Sequence, residues 1–283
     1  MNPWISEDVE LRCGDALAVL KTLPSESIDL VVTSPPYDDL RTYNGSCSWN
    51  FEGIVAELLR VVKSGGVVCW IVGDSVTNGS ESLTSFNQAI AFKSAGFLIH
   101  DTMIYEKLNF SHPDRVRYHQ LFEYIFILCK PPGPPRIFNP IIDKPNAAVG
   151  AVGSLGINTF TKKDGSKSVR SKKINAAFGK RGNVWRGKTR GQEEMCQPLP
   201  HPAMMPRWLA RDLILSWSNR EDLICDPFLG SGTVAEEAFK IGRRVVGIEL
   251  NPDYCEMAKR RIQEAQTQPD LFVNTNIAKG ETR

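Results

Sequence analysis

Thr33-Ser34-Pro35-Pro36-Tyr37 sets a hydroxyl, a peptide carbonyl and an aromatic ring side by side across two prolines that stiffen the turn. Such a turn suits a planar base carrying an amino group. The ring stacks on the base, and the oxygens accept the amino hydrogens. A proline-rich loop leaving a core strand is the competing reading. Near the other end of the chain, Asp226-Pro227-Phe228-Leu229-Gly230-Ser231-Gly232-Thr233 is a glycine turn through which backbone can approach a ligand closely. No Lys follows its last glycine, so it is not a P-loop. Its Gly-x-Gly spacing is completed only by Ala235, which makes it a weak dinucleotide fingerprint. One βα unit later, Glu249 offers a carboxylate that can accept both hydroxyls of a ribose. A tight turn followed by a solvated Glu is the alternative there.

The elements that must position these groups show in the hydrophobic pattern. Ile28-Asp29-Leu30-Val31-Val32 reads as a buried strand delivering Ser34, and Asp222-Leu223-Ile224-Cys225 as one delivering Asp226. A helical pattern starts at Val234, and a strand from Arg244 ends at Glu249. Val9 to Cys13 reads as a strand, after which Asp15 can cap a short helix. Trp49 to Val62 predicts a helix stopped by Ser64-Gly65-Gly66, with Val67 to Val72 as the next strand. A helix near Ser82 to Ala95, strands Phe97 to Tyr105 and Leu121 to Cys129, and helices Met205 to Trp217 and Pro252 to Ile262 complete the pattern. Pro131-Pro132-Gly133-Pro134-Pro135 marks the exit from the sheet. Alternating strands and helices predict an α/β fold with a largely parallel sheet and helices on both faces. Ligands of such sheets bind at the carboxyl ends of the strands.

Together, Gly14-Asp15-Ala16-Leu17, Thr33 to Tyr37, Leu59 to Gly66, His201-Pro202, Asp226 to Thr233 and Glu249 resemble the DNA amino-methyltransferases that use S-adenosyl-L-methionine. The resemblance covers nearly the whole chain. The tetrapeptide comes first and the cofactor glycines last, as in the permuted beta class of that family. The same order argues against protein-glutamine methylases. The resemblance implies a Rossmann-like, seven-stranded, mostly parallel methyltransferase sheet with one antiparallel member at an edge and an inserted basic target-recognition region. It implies a catalytic half over residues 1–130, the insertion over 131–198, a cofactor-binding half over 199–265 and a polar tail over 266–283. Ser34, Pro35, Pro36 and Tyr37 would act on the exocyclic nitrogen of a flipped base, adenine N6 or cytosine N4. Asp226, Phe228, Gly230, Ser231, Gly232 and Thr233 would surround the methionine part of S-adenosyl-L-methionine, and Glu249 would hold its ribose. Asp15 matches the acid that contacts the cofactor adenine, or is a simple N-cap. His201 matches a segment near the cofactor carboxylate. A cytosine-C5 methylase would need a cysteine nucleophile, and no Pro-Cys pair stands at a strand end.

The net charge of +2 hides a strong asymmetry: Lys107 to Arg190 carries 17 Lys and Arg against 4 Asp and Glu, and the remainder 17 against 28. That split points to a polyanion-binding surface. Lys162, Lys163, Arg170, Lys172, Lys173, Lys180, Arg181 and Arg186 are its candidate contacts to double-stranded DNA, in a segment that could order on binding. A solvated basic loop without a partner is the alternative. Hydrophobic residues at 42% and charged residues at 23% are ordinary for a soluble protein, and the chain can bury a full α/β core. The longest apolar run is too short to span a membrane, and Glu7, Asp8 and Glu10 stand where a signal peptide needs a basic start. Seven cysteines without tight pairing suggest reduced thiols in a cytoplasm, and four scattered histidines offer no metal site. Family analogy implies a homodimer, and any restriction endonuclease partner would be a separate chain. RNA methylation, or a DNA-binding regulator with a vestigial cofactor site, are the other functional readings.

Overall fold

The computed structural model describes residues 3–6, 8–36, 49–108, 116–146, 159–161, 164–169, 176–189 and 204–267. In chain order the elements are β1 (Trp4–Ile5), β2 (Val9–Cys13), α1 (Ala16–Leu20), β3 (Ile28–Thr33), α2 (Phe51–Val61), β4 (Val62–Val72), β5 (Val76–Thr77), β6 (Ser80–Glu81), α3 (Thr84–Ala95), β7 (Leu98–Lys107) and β8 (Phe122–Cys129). They continue with β9 (Ile142–Pro145), β10 (Thr159–Thr161), β11 (Lys167–Val169), β12 (Phe178–Lys180), β13 (Val184–Gly187), α4 (Arg207–Trp217), β14 (Leu223–Asp226), α5 (Thr233–Lys240), β15 (Arg244–Glu249) and α6 (Pro252–Thr267). Two compact units result, one from residues 1–139 with 184–283 and one from residues 140–183.

The larger unit is built on a nine-stranded sheet in the order β1-β2-β15-β14-β3-β4-β8-β7-β13. Strands β2, β15, β14, β3 and β4 run parallel, each to the next. The α/β class is as expected, but the strand count is nine rather than seven. A two-residue β1 pairs antiparallel outside β2, and β13 pairs parallel outside β7. The antiparallel member of the central seven is also not at an edge. It is β8, which lies between β4 and β7 and is antiparallel to both.

Both faces of the central strands are covered, which is why they read as continuous apolar runs rather than alternating ones. Val31, Val68, Trp70, Val72, Phe126, Cys225, Val246 and Ile248 face one layer, packed with Ala16 and Leu20 of α1, Ile54 and Leu58 of α2 and Phe92 of α3. Their alternates Leu30, Val32, Val67, Cys69, Ile71, Ile224 and Val245 are equally buried and point the other way. On that side Leu209, Leu213, Ala235, Ala238, Ala258 and Ile262 supply the buried faces of α4, α5 and α6. Burial pushes the Cys69 and Cys225 thiols well above their ordinary range.

The expected helix stop at Ser64-Gly65-Gly66 lies inside β4. The helix already ends at Val61, and the strand passes close beneath its neighbours. A Cβ on Gly66 would stand 2.9 Å from the Asp29 carbonyl oxygen, and the β3–β4 register shifts at that level. Gly66 thus reflects close backbone approach, and Gly65 a φ of 72° that favours glycine. Among the described residues no helix is long and apolar enough to cross a membrane.

Among the described residues the smaller unit holds two antiparallel pairs, β9 with β12 and β10 with β11. Arg181 braces the first pair: its Nε donates to Asp143 Oδ2 at 2.9 Å, and that guanidinium holds the Asp143 carboxyl below its usual range.

Candidate active site

The chain steps from β14 to β15 in one direction across the sheet and from β3 to β4 in the other, so β14 and β3 flank the switch point. Crevices of open α/β sheets form there, at the carboxyl ends of the strands. Two of the three groups singled out above meet at this point. Thr33, the last residue of β3, donates its hydroxyl to Asp226 Oδ1 at 2.7 Å across the switch. The Phe228 N–H donates to the same oxygen at 3.0 Å, closing the turn after β14. Asp226 is 3% exposed. Burial pushes its carboxyl up to about 7, helped by the nearby Glu249 charge and opposed by the two hydrogen bonds. Beyond Thr33 the chain continues through half-buried Ser34, buried Pro35 and half-buried Pro36. Tyr37 lies outside the described residues.

The third group joins from β15. Glu249 Oε2 accepts the Gly230 N–H at 2.8 Å, and Oε1 accepts the Asn251 N–H at 2.8 Å. Burial raises its carboxyl above the usual range against the pull of these N–H donors. The Leu250 N–H also draws on this carboxylate, and with about four acceptor positions in all it keeps capacity for a sugar hydroxyl. The Glu249 carbonyl accepts the Gly14 N–H at 2.8 Å, which ties the end of β2 to the same place. Asp15 follows, and its Oδ1 accepts the Ala18 N–H at 2.8 Å, so it caps α1.

The glycine loop reaches its shape through Gly230 at φ 53° and Gly232 at φ 86°, values that favour glycine. Gly232 caps α5 without a side-chain hydrogen bond, so the first N–H groups of that helix are not capped by a side chain. Open N–H groups, a buried acid and a carboxylate with acceptor positions to spare fit an amino acid joined to a nucleoside. The Ser231 and Thr233 hydroxyls, expected to face the cofactor, accept hydrogen bonds from Arg261 Nη1 at 3.3 and 3.0 Å. His201 lies outside the described residues.

Sequence reasoning missed two contributors. Trp49 reads only as a helix start, yet its ring meets Phe228 edge-on at 5.2 Å and stacks over Trp70 at 6.4 Å. Arg261 belongs to no motif that singles it out in the sequence. The available signal was its place among Ala258, Ile262 and Ala265, the buried stripe of α6. At the same end of the sheet, beyond β4, a cavity of about 170 Å³ is lined in part by Asp74, Gln120, Phe122 and Tyr124.

Of the basic residues, Lys180 is exposed on β12 and Arg181 pairs with Asp143. Arg186 on β13 pairs with Glu106 at 2.8 Å while its side chain stays 63% exposed. Lys162, Lys163, Arg170, Lys172 and Lys173 lie outside the described residues.

Known proteins resemble this chain over most of its length. The model of the DNA methylase family matches residues 28–260. The orphan methyltransferase M.BamHII of Bacillus amyloliquefaciens is 47% identical over 241 residues, covering 84% of this chain and 89% of that protein. The solved structure of TTHA0409 from Thermus thermophilus, complexed with S-adenosyl-L-methionine, superposes with a TM-score of 0.59 at 25% identity, over 90% of this chain and 95% of that one. PvuII DNA methyltransferase, cytosine-N4-specific, shares the fold with a TM-score of 0.63 at 18% identity, over 96% of this chain and 89% of that one. The chain belongs to the DNA methylase family of N6 and N4 amino-methyltransferases, which draw their methyl group from S-adenosyl-L-methionine.

Proposed function

We propose that this DNA methyltransferase acts at specific sites in double-stranded DNA, on the exocyclic amino group of a base flipped from the duplex, adenine N6 or cytosine N4. The observation that carries the reading is the Thr33–Asp226 hydrogen bond, which sets the Ser34-Pro35-Pro36 turn against the loop from Asp226 to Thr233. Glu249 would hold the cofactor ribose, and the uncapped N–H groups of α5 would hold the methionine part, which Gly230 lets approach the backbone closely. Bound there, S-adenosyl-L-methionine supplies a methyl group activated on a positively charged sulfur.

The residues of this chain do the rest. An amino nitrogen on a base is a poor nucleophile because its lone pair is delocalised into the ring. Hydrogen bonds from that group to the Ser34 hydroxyl and the Pro35 carbonyl draw the nitrogen toward tetrahedral geometry and aim the lone pair. Pro36 fixes the turn, and alignment of the two reacting atoms supplies much of the rate. Extracting the base costs a few kcal/mol, and stacking on Tyr37 returns about 1–3 kcal/mol. The region over residues 131–198 would read the target, with Lys162, Lys163, Arg170, Lys172, Lys173, Lys180, Arg181 and Arg186 on phosphates that fix position rather than sequence.

Adenine and cytosine present the same pair of amino hydrogens to Ser34, so the base is named by product analysis. The test is transfer from labelled S-adenosyl-L-methionine to unmethylated genomic DNA, followed by nucleoside analysis. Ser34→Ala is expected to lose most turnover with cofactor binding intact, and Glu249→Ala to weaken cofactor binding first. Absence of transfer from protein that binds the cofactor would overturn DNA as the substrate.

A further inference from the structure

Helix α6 runs directly beneath the glycine loop. A Cβ on Gly232 would lie 2.8 Å from the Ala258 Cβ and 2.9 Å from its Cα, so loop and helix touch at that point. Three residues further along, Arg261 Nη1 donates to Thr233 Oγ1 at 3.0 Å, to Ser231 Oγ at 3.3 Å and to the Ser231 carbonyl at 3.4 Å. Its Nε donates to Glu236 on α5. The other Glu236 oxygen accepts Lys240 Nζ at 2.5 Å and Arg207 Nη2 at 3.1 Å. Burial pushes the Glu236 carboxyl up, but Arg261, Lys240 and Arg207 outweigh it and hold it below the ordinary value. Arg261 is 7% exposed, and its Nη2 has no hydrogen-bond partner among the described residues.

A guanidinium on the buried stripe of a helix is costly, and an apolar side chain there would serve packing better. What the arginine adds is a rigid fork that reaches two elements at once. One prong meets Glu236, and another meets both hydroxyls of the glycine loop.

We infer that Arg261 is a positioning residue for the cofactor loop: it holds Ser231 and Thr233 so that Gly230 and the first N–H groups of α5 face the cofactor, with Glu236 orienting its guanidinium. The inference rests on residues 226–233 being the cofactor loop. Ser231 and Thr233 then serve the cofactor through loop shape rather than by direct contact.

The test compares wild type, Arg261→Lys, Thr233→Val and the double variant by titration with S-adenosyl-L-methionine, steady-state kinetics and thermal melting. Lysine keeps the charge beside Glu236 but replaces the planar fork, whose separate nitrogens meet Glu236 and the loop, with one shorter-reaching nitrogen. Arg261→Lys should stay folded and raise the cofactor Kd and KM about tenfold or more, the loss of a charge-assisted hydrogen bond. KM for DNA and kcat at saturating cofactor should stay near wild type. Thr233→Val should move the cofactor Kd in the same direction, and the double variant should fall short of the product of the two effects. Unchanged cofactor Kd in folded Arg261→Lys, or equal losses toward cofactor and DNA, would overturn the inference. Where Arg261→Lys fails to fold, Glu236→Gln takes its place: normal cofactor affinity overturns the inference, and a raised cofactor Kd with KM for DNA unchanged supports it, because among the described residues the Glu236 side chain meets the loop only through Arg261. A wild-type protein that binds no cofactor would sink the reading of the loop itself, a result distinct from binding that these substitutions leave unchanged.

Discussion

At Asp226 the acidity of one residue is set by the geometry of the site. Its folded pKa of about 7 stands above the ordinary 3.8. The folded state therefore holds this proton more tightly than the unfolded chain. The corresponding stability is complete below the unfolded value and is lost as pH rises through the folded one. Asp226→Asn keeps an oxygen for both the Thr33 hydroxyl and the Phe228 N–H and removes the ionisation. Its unfolding free energy should exceed that of wild type by up to about 4 kcal/mol near pH 8, and the difference should shrink toward zero near pH 4. Denaturant unfolding at the two pH values measures this, and a pH-independent difference would refute it. The turn after Thr33, the glycine loop and Glu249 were legible as neighbours in one crevice because each stands at the end of an apolar run. Arg261 and Glu236 were not, because a charge on a helix reads as solvated until its neighbours across 25 residues of sequence are known. Asp15 remained two-sided in the sequence, and the structure shows the cap.

At the scale of elements, the edge strand β13 shows how one absent side chain can dock a segment. A Cβ on Gly187 would lie 2.3 Å from Trp208 Cζ2. The indole of α4 occupies that space, donates its N–H to the Lys188 carbonyl at 3.1 Å and meets Tyr105 edge-on at 5.7 Å. Gly187→Ala must displace the indole or the strand, at a cost of about 1–3 kcal/mol. A thermal melt should register a lower midpoint, and an unchanged midpoint would show that the contact yields freely. Strands such as β3 and β14 announce themselves because burial on both faces demands apolar residues throughout. Short edge strands such as β1 and β13 carry no such demand, since their place is set by the partner edge, not by their own pattern. Gly65 and Gly66 misled because glycine also serves inside a strand, Gly65 for its positive φ and Gly66 for close backbone approach.

At the scale of the molecule, charge is sorted along the chain, with 17 Lys and Arg against 4 Asp and Glu between Lys107 and Arg190. If Lys162, Lys163, Lys172 and Lys173 meet phosphates, changing all four to Gln should flatten the plot of log affinity for DNA against log salt by about 3–4. An unchanged slope would remove them from the interface. The order of the sheet has a further consequence, one of timing. Strands β2 and β3 are neighbours in sequence, yet β15 and β14 lie between them. The partners joined by the Thr33–Asp226 bond are 193 residues apart. At ribosomal speeds the second follows the first by roughly 10–40 s. Throughout that interval the facing edges of β2 and β3 are open, a template for wrong pairing. The gap closes only when the last strands arrive, so a chain released before Arg244 has no closed sheet and cannot join Thr33, Asp226 and Glu249 at one point.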